Sequence, residues 1–175
     1  MATHQISVLS FTVRPDTSGK VWLEPYDILA TNDVWKHSII RYDEDGNNNA
    51  QISTRIGIFG SFLVPQNYVG SAKFYPVWTS TVTTGNCVWD FEYRTVGGDD
   101  TTSLDQAGTE ESLTLTDAAP TAANRRLTPS FSLTSGNFAA GETVQFFLAV
   151  DGVDAADTLA GARILVGAIF EYADV

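Results

Sequence analysis

An all-β fold, two packed antiparallel sheets or a closed barrel, is what this 175-residue sequence predicts, on three observations. Apolar and polar residues alternate through most of the chain, which is the period of a half-buried strand. Gly, Asn and Asp pairs interrupt the alternation at short intervals, as turns require. No amphipathic stretch with helical period reaches about twelve residues, so no crossover helices separate the strands. Hydrophobic residues make up 43% of the chain, enough to build a core at this length. Composition does not shift along the chain, and residues 1–175 read as one domain.

The strands follow in order. Gln5–Val13, Val21–Leu23 and Val34–Tyr42 carry the alternation through the first part, interrupted by Glu24-Pro25-Tyr26-Asp27. Ile52–Leu63, Ala72–Val82 and Cys87–Val96 are longer and rich in β-branched and aromatic residues, which suit a pleated surface. Gly85-Asn86 stands before the last of these and predicts a tight hairpin. Ser112–Thr116, Arg125–Thr134, Thr143–Val150 and Arg163–Tyr172 complete the set. In the last two, Val144/Phe146/Leu148/Val150 and Ile164/Val166/Ala168/Phe170/Tyr172 each predict one continuous face. Phe146-Phe147 and Ile58-Phe59 place large side chains on both faces of their strands, whereas an isolated sandwich should be polar outside. Such strands are buried centrally or meet another chain. Tyr42–Ala50 and Val96–Gly108 read as longer loops.

Composition excludes several classes of function. The net charge of −11, with 10 Lys and Arg against 21 Asp and Glu, argues against a nucleic-acid partner. No run of about 18 apolar residues predicts a transmembrane helix, so no membrane partner is expected. The N-terminal Met1–Ile6 lacks the basic and apolar blocks of a secretory signal, and export by that route is not expected. Cys87 is the single cysteine, which rules out an intrachain disulfide and a Cys-rich zinc site. Its alternation with Trp89, Phe91 and Tyr93 marks it as a small core residue rather than a reactive thiol. His4 and His37 are the two histidines, and no nucleophile-elbow pattern accompanies them, so a Ser/His/Asp triad is not predicted.

The remaining constellations read as structural. Asp90 and Glu92 project from one face of one strand, the adjacency a glycosidase pair would need, and also that of a solvated outer face. The solvated face is the preferred reading. Asp43–Asn49 has its glycine too early for an EF-hand and lacks the distant Glu, so it reads as a surface turn rather than a calcium site. Asp151–Asp157 reads as a turn with local side-chain caps. Among the tryptophans, Trp89 and Trp78 are assigned to strands, and Trp22 and Trp35 are the surface candidates. No catalytic residue, metal ligand or cofactor site is predicted.

One resemblance extends this reading. Trp89-Asp90-Phe91-Glu92-Tyr93-Arg94, Ser103–Gly108, Thr116–Pro120, Gly136–Val144 and Asp151–Gly161 together resemble small structural proteins of tailed bacteriophages, over about residues 74–174. The resemblance implies a jelly-roll sandwich in the virion, commonly a homotrimer, with no enzymatic activity. It implies a capsid decoration, or cement, protein bound to the major capsid protein. Strand faces around Phe146–Val150 and Arg163–Tyr172 would form the trimer seam, and Met1–Val13 an arm docking on the shell. Such a protein stabilises the shell by binding the assembled state alone. The alternative is a tail fibre or spike module that binds host glycan, with Trp22, Tyr26, Trp35 and the Asp43–Asn49 loop as its candidate surface.

Overall fold

The computed structural model describes residues 1–8, 14–15, 21–24, 38–43, 52–98, 102–105 and 108–174. They form two antiparallel sheets and one short 3-10 turn at Ser135–Asn137. The first sheet contains β1 (Thr3–Ser7), β3 (Val21–Glu24), β4 (Ile39–Tyr42), β6 (Gly70–Thr79), β9 (Phe131–Ser132) and β11 (Arg163–Ala173). The second contains β2 (Arg14–Pro15), β5 (Arg55–Leu63), β7 (Asn86–Val96), β8 (Glu111–Ala118) and β10 (Thr143–Asp151).

The pairing is nested. β4 lies beside β11, β5 beside β10, β6 beside β9, and β7 beside β8. The β11–β6 and β10–β7 contacts then join these pairs into the sheets β4-β11-β6-β9 and β5-β10-β7-β8. A chain folded double and wrapped so that two sheets share such four-stranded cores, here flanked by β1, β2 and β3, is a jelly roll. The fold class predicted from the sequence is therefore the one observed.

Alternation explains the core. Val144, Phe146, Leu148 and Val150 all face inward from β10, as predicted. They meet Phe91 and Trp89 of β7 and Phe74 and Trp78 of β6, which lie on the opposing sheet. Phe74 stacks on Phe91 at 4.1 Å, and Trp78 meets Trp89 edge-on at 5.7 Å. Trp78 and Trp89 are thus core residues. Cys87 is fully buried beside them, and burial pushes its thiol far above the ordinary range, which suits an inert hydrophobe.

Several predicted elements differ. The single face expected for β11 is broken by a register shift between Leu165 and Gly167. Because side chains alternate with period two, one extra residue moves Ile164 and Val166 to the opposite face from Ala168, Phe170 and Tyr172. Leu165 takes the inward place, and Val166 is 37% exposed. Gly85-Asn86 is not a hairpin, because β6 and β7 belong to different sheets. Gly85 is nevertheless required there: its φ is +93° and a Cβ would stand 2.5 Å from the Thr158 carbonyl oxygen. Of Arg125–Thr134, only Phe131–Ser132 forms a strand, while Leu127 makes an isolated bridge to Trp78. Pro129, which has no N–H to give, separates the two. Ahead of these, Thr3–Ser7 of the predicted docking arm is a strand paired along β11, and residues 9–13 lie outside the described residues.

Candidate functional site

The outward face of the second sheet holds the candidate site, and strand register builds it. Residues opposite one another across β5, β10, β7 and β8 form rows. Phe59, Phe147, Glu92 and Ser112 make one row. Ser61, Gln145 and Arg94 make the next, and Gly57, Ala149, Asp90 and Thr114 lie on the other side. Phe59, Phe147 and Glu92 of the first row and all three residues of the second line an open groove of about 660 Å³, together with Arg55, Gly108 and Thr109.

An aromatic platform occupies its middle. Phe59 and Phe147 are tilted against each other with centroids 4.7 Å apart, and Phe59 is 52% exposed. Phe147 lies across the strand beneath it because residue 57 is glycine. A Cβ on Gly57 would come within 2.4 Å of the Phe147 ring. From the other side the Arg55 guanidinium covers the Phe147 ring, 5.1 Å from its centroid. The ring is therefore held between a glycine, a cation and a second phenylalanine.

Polar groups surround the platform. Arg55 Nε donates to Asp90 Oδ2 at 2.7 Å, and Arg55 Nη2 donates to Glu92 Oε1. Thr114 Oγ1 donates to Asp90 Oδ1 at 2.8 Å. Burial works against the Arg55 charge, and the bonds to the two carboxylates outweigh it, so the guanidinium titrates above its ordinary value. In the neighbouring row, Arg94 Nε donates to Gln145 Oε1 at 2.7 Å and Arg94 Nη2 to the Leu104 carbonyl at 2.9 Å. Chemically, the groove offers an apolar plate flanked by donors and acceptors fixed in place.

Asp90 and Glu92 do share one face, as predicted, and share one guanidinium as well. They sit side by side on a single strand rather than opposed across the groove, as the acid and base of a glycosidase would be. The other predicted positions lie elsewhere. Trp22 is in β3, and Tyr26, Trp35, His37 and residues 44–49 are outside the described residues. Asp43 is buried and pairs with Arg41 at 3.6 Å, so this end of the Asp43–Asn49 segment is not an exposed turn. Asp151 and Asp154 cap the turn after β10 by accepting from Val153 and Ala156 N–H, as expected. Asp157 does not. It is buried, accepts from Val88 N–H at 3.0 Å, and pairs with the fully buried Arg163. His4 stacks on Tyr172 and bonds Asp174 Oδ2 at 2.8 Å. Among the described residues, no three His, Cys, Asp or Glu side chains gather as metal ligands.

Sequence reasoning missed Phe59, Phe147, Arg55, Arg94 and Gln145 as site residues. The signal was present in the two-sided pairs Ile58-Phe59 and Phe146-Phe147, read there as burial or association.

No family model matches the chain, and no curated protein matches its sequence. Among solved structures it is similar to a family 35 carbohydrate-binding module from Clostridium thermocellum, at 11% identity and a TM-score of 0.47, covering 97% of this chain and 98% of the module. It is also similar to an arabinose-bound α-L-arabinofuranosidase, at 10% identity and a TM-score of 0.48, covering 92% of this chain and 23% of the enzyme. A third similarity is to the enzymatically active domain of tailspike protein 4 of bacteriophage CBA120, at 9% identity and a TM-score of 0.38. It covers 96% of this chain and 19% of that one.

Proposed function

We propose that this protein is a carbohydrate-recognition module, a receptor-binding component of a phage tail fibre or spike that takes host glycan on the outward face of its second sheet. One observation carries the reading: an exposed phenylalanine, Phe59, seated on the half-buried Phe147, lies in a groove ringed by guanidinium, carboxylate and amide groups. A sugar ring has an apolar C–H face and a polar rim. The face stacks on an aromatic plate, and the hydroxyls need donors and acceptors in fixed positions. Phe59 supplies the plate, backed by Phe147, and Glu92, Arg94 and Gln145 supply the rim. Because Arg55, Gly57 and Phe59 hold Phe147 before any ligand arrives, little ordering entropy is lost on binding. Binding here requires no bond to be made or broken. Of the two virion roles that the resemblance implies, the groove supports glycan recognition. The described residues supply no comparable feature for a capsid surface.

A glycan array followed by calorimetry on the hits tests this. The wild-type chain should bind at least one glycan class, and Phe59→Ala should weaken that binding about tenfold or more, the share of a stacking aromatic. Phe59 is half-exposed, so its removal should leave folding stability within about 0.5 kcal/mol. A wild-type chain that binds no arrayed glycan, or a Phe59→Ala variant that binds unchanged, would falsify the proposal.

A further inference from the structure

Resting on that carbohydrate reading, we infer that the preferred saccharide carries an anionic group, a uronate or sialate carboxylate or a sulfate ester, and that Arg94 receives it. Two arginines described in the groove are placed differently. Arg55 is committed: it bonds Asp90 and Glu92 and covers the Phe147 ring. Arg94 holds only the Gln145 amide oxygen and the Leu104 carbonyl, both uncharged. A guanidinium has five N–H donors, so these two bonds fix its plane and leave three donors for a ligand. Its charge is balanced by no carboxylate among the described residues, because Glu92, on the same face of β7, is taken by Arg55.

That placement is unusual in a chain with a net charge of −11, where acids outnumber Lys and Arg two to one. The surplus of acid elsewhere does not govern the groove, since at physiological salt charges beyond about 8 Å are largely screened. The spacing also fits. Arg94 and Gln145 lie one row from Glu92 and Phe147, and residues two apart on a strand are about 7 Å apart. A sugar ring stacked on Phe59 can therefore carry its substituent to Arg94. The planar fork of a guanidinium suits two-oxygen anions, which bind it in a bidentate manner. The Gln145 amide nitrogen beside it can add a hydroxyl or N-acyl contact.

The experiment compares charged glycans with their neutral parents: 3′-sialyllactose and 3′-sulfolactose against lactose, and trigalacturonate against galactotriose. At low salt, at least one charged member should bind the wild-type chain about tenfold tighter than its parent, and this preference should shrink as salt is added. Arg94→Gln should remove the charged member's advantage over its parent, weakening the neutral parent by the smaller factor of one lost hydroxyl contact, with Arg94→Lys restoring part of the preference. Which member responds distinguishes carboxylate from sulfate. If charged and neutral members bind alike, or if Arg94→Gln weakens both equally, the inference fails while the carbohydrate reading stands. If nothing binds, both fail.

Discussion

The interior of the sandwich and the outward face of its second sheet both contain an arginine tied to an aspartate, in opposite surroundings. In the interior, Arg163 and Asp157 have no exposed side-chain surface. Asp157 also accepts from Val88 N–H in β7, while Arg163 begins β11 and donates to the Gly161 carbonyl. The pair thus links the second sheet to the first. On the outward face, Arg55 is 34% exposed and its partners Asp90 and Glu92 are 11% and 25% exposed. Water competes for that pair, so it contributes little to stability, and its effect is positional, through the Phe147 ring. The same ionic chemistry therefore acts as a clasp where solvent is excluded and as a ring support where it is not.

Breaking the clasp gives the largest expected effect. Arg163→Met removes one partner and leaves Asp157 buried without its counter-charge, at a cost of about 3–5 kcal/mol. The variant's pH dependence follows from the same group. Burial raises the Asp157 carboxyl, while the Val88 N–H and Arg163 pull it down, with a net raised value. Without Arg163 the folded-state value rises further above the unfolded one. An acid that is harder to ionise when folded destabilises the fold as pH rises from the unfolded value to the folded value. The deficit of the variant should therefore be largest at neutral pH and shrink on acidification toward 3.8, the ordinary aspartate value. Urea unfolding at pH 7 and at pH 4.5 checks both statements, and equal deficits at the two pH values would remove the explanation.

Next in size is a change aimed at the platform alone. Gly57→Ala places a methyl group where the Phe147 ring now lies, with ring carbons 2.4 and 2.5 Å from the new Cβ. The ring must lift, at about 1–3 kcal/mol for an overpacked site. It then leaves its contacts with Phe59 and Arg55, so glycan affinity should fall with stability. Arg163→Met should leave affinity of the folded fraction unchanged. Calorimetry on both variants at a temperature where each is folded separates the two regions.

Much of the fold was legible because period two is a strong signal. The inward set Val144, Phe146, Leu148 and Val150 needed nothing beyond alternation. What alternation does not encode is a shift of phase. The bulge at Leu165/Gly167 adds one residue against β6 and reverses the predicted face of Ile164 and Val166. The site was less legible, for a related reason. That Phe147 projects away from the core follows from its neighbour Phe146, but that it lies between Phe59 and Glu92 depends on register among three strands distant in sequence. Asp90 and Glu92 were placed on one face correctly, while Arg55, the group that engages both, arrives from the other side of β10. Asp157 looked like its neighbours Asp151 and Asp154, since a buried ion pair and a turn cap have the same residue type in the same loop.

A smaller effect on stability than either is expected where the comparison is most direct. Arg55→Met removes a partly exposed ion pair, worth about 1 kcal/mol, and the cation over Phe147, worth about 0.5–1 kcal/mol at exposed sites. Asp90 keeps the Thr114 hydroxyl as a donor, and Glu92 can turn to water, so neither acid is stranded as Asp157 would be. The methionine still covers part of the ring. Folding stability should fall by about 1 kcal/mol, a small share of the Arg163→Met loss, while glycan affinity falls severalfold as Phe147 loosens. Paired urea midpoints for the two methionine variants decide the matter. If Arg55→Met costs as much as Arg163→Met, exposure is not what separates the two pairs, and the outward arginine belongs to the fold as much as to the groove.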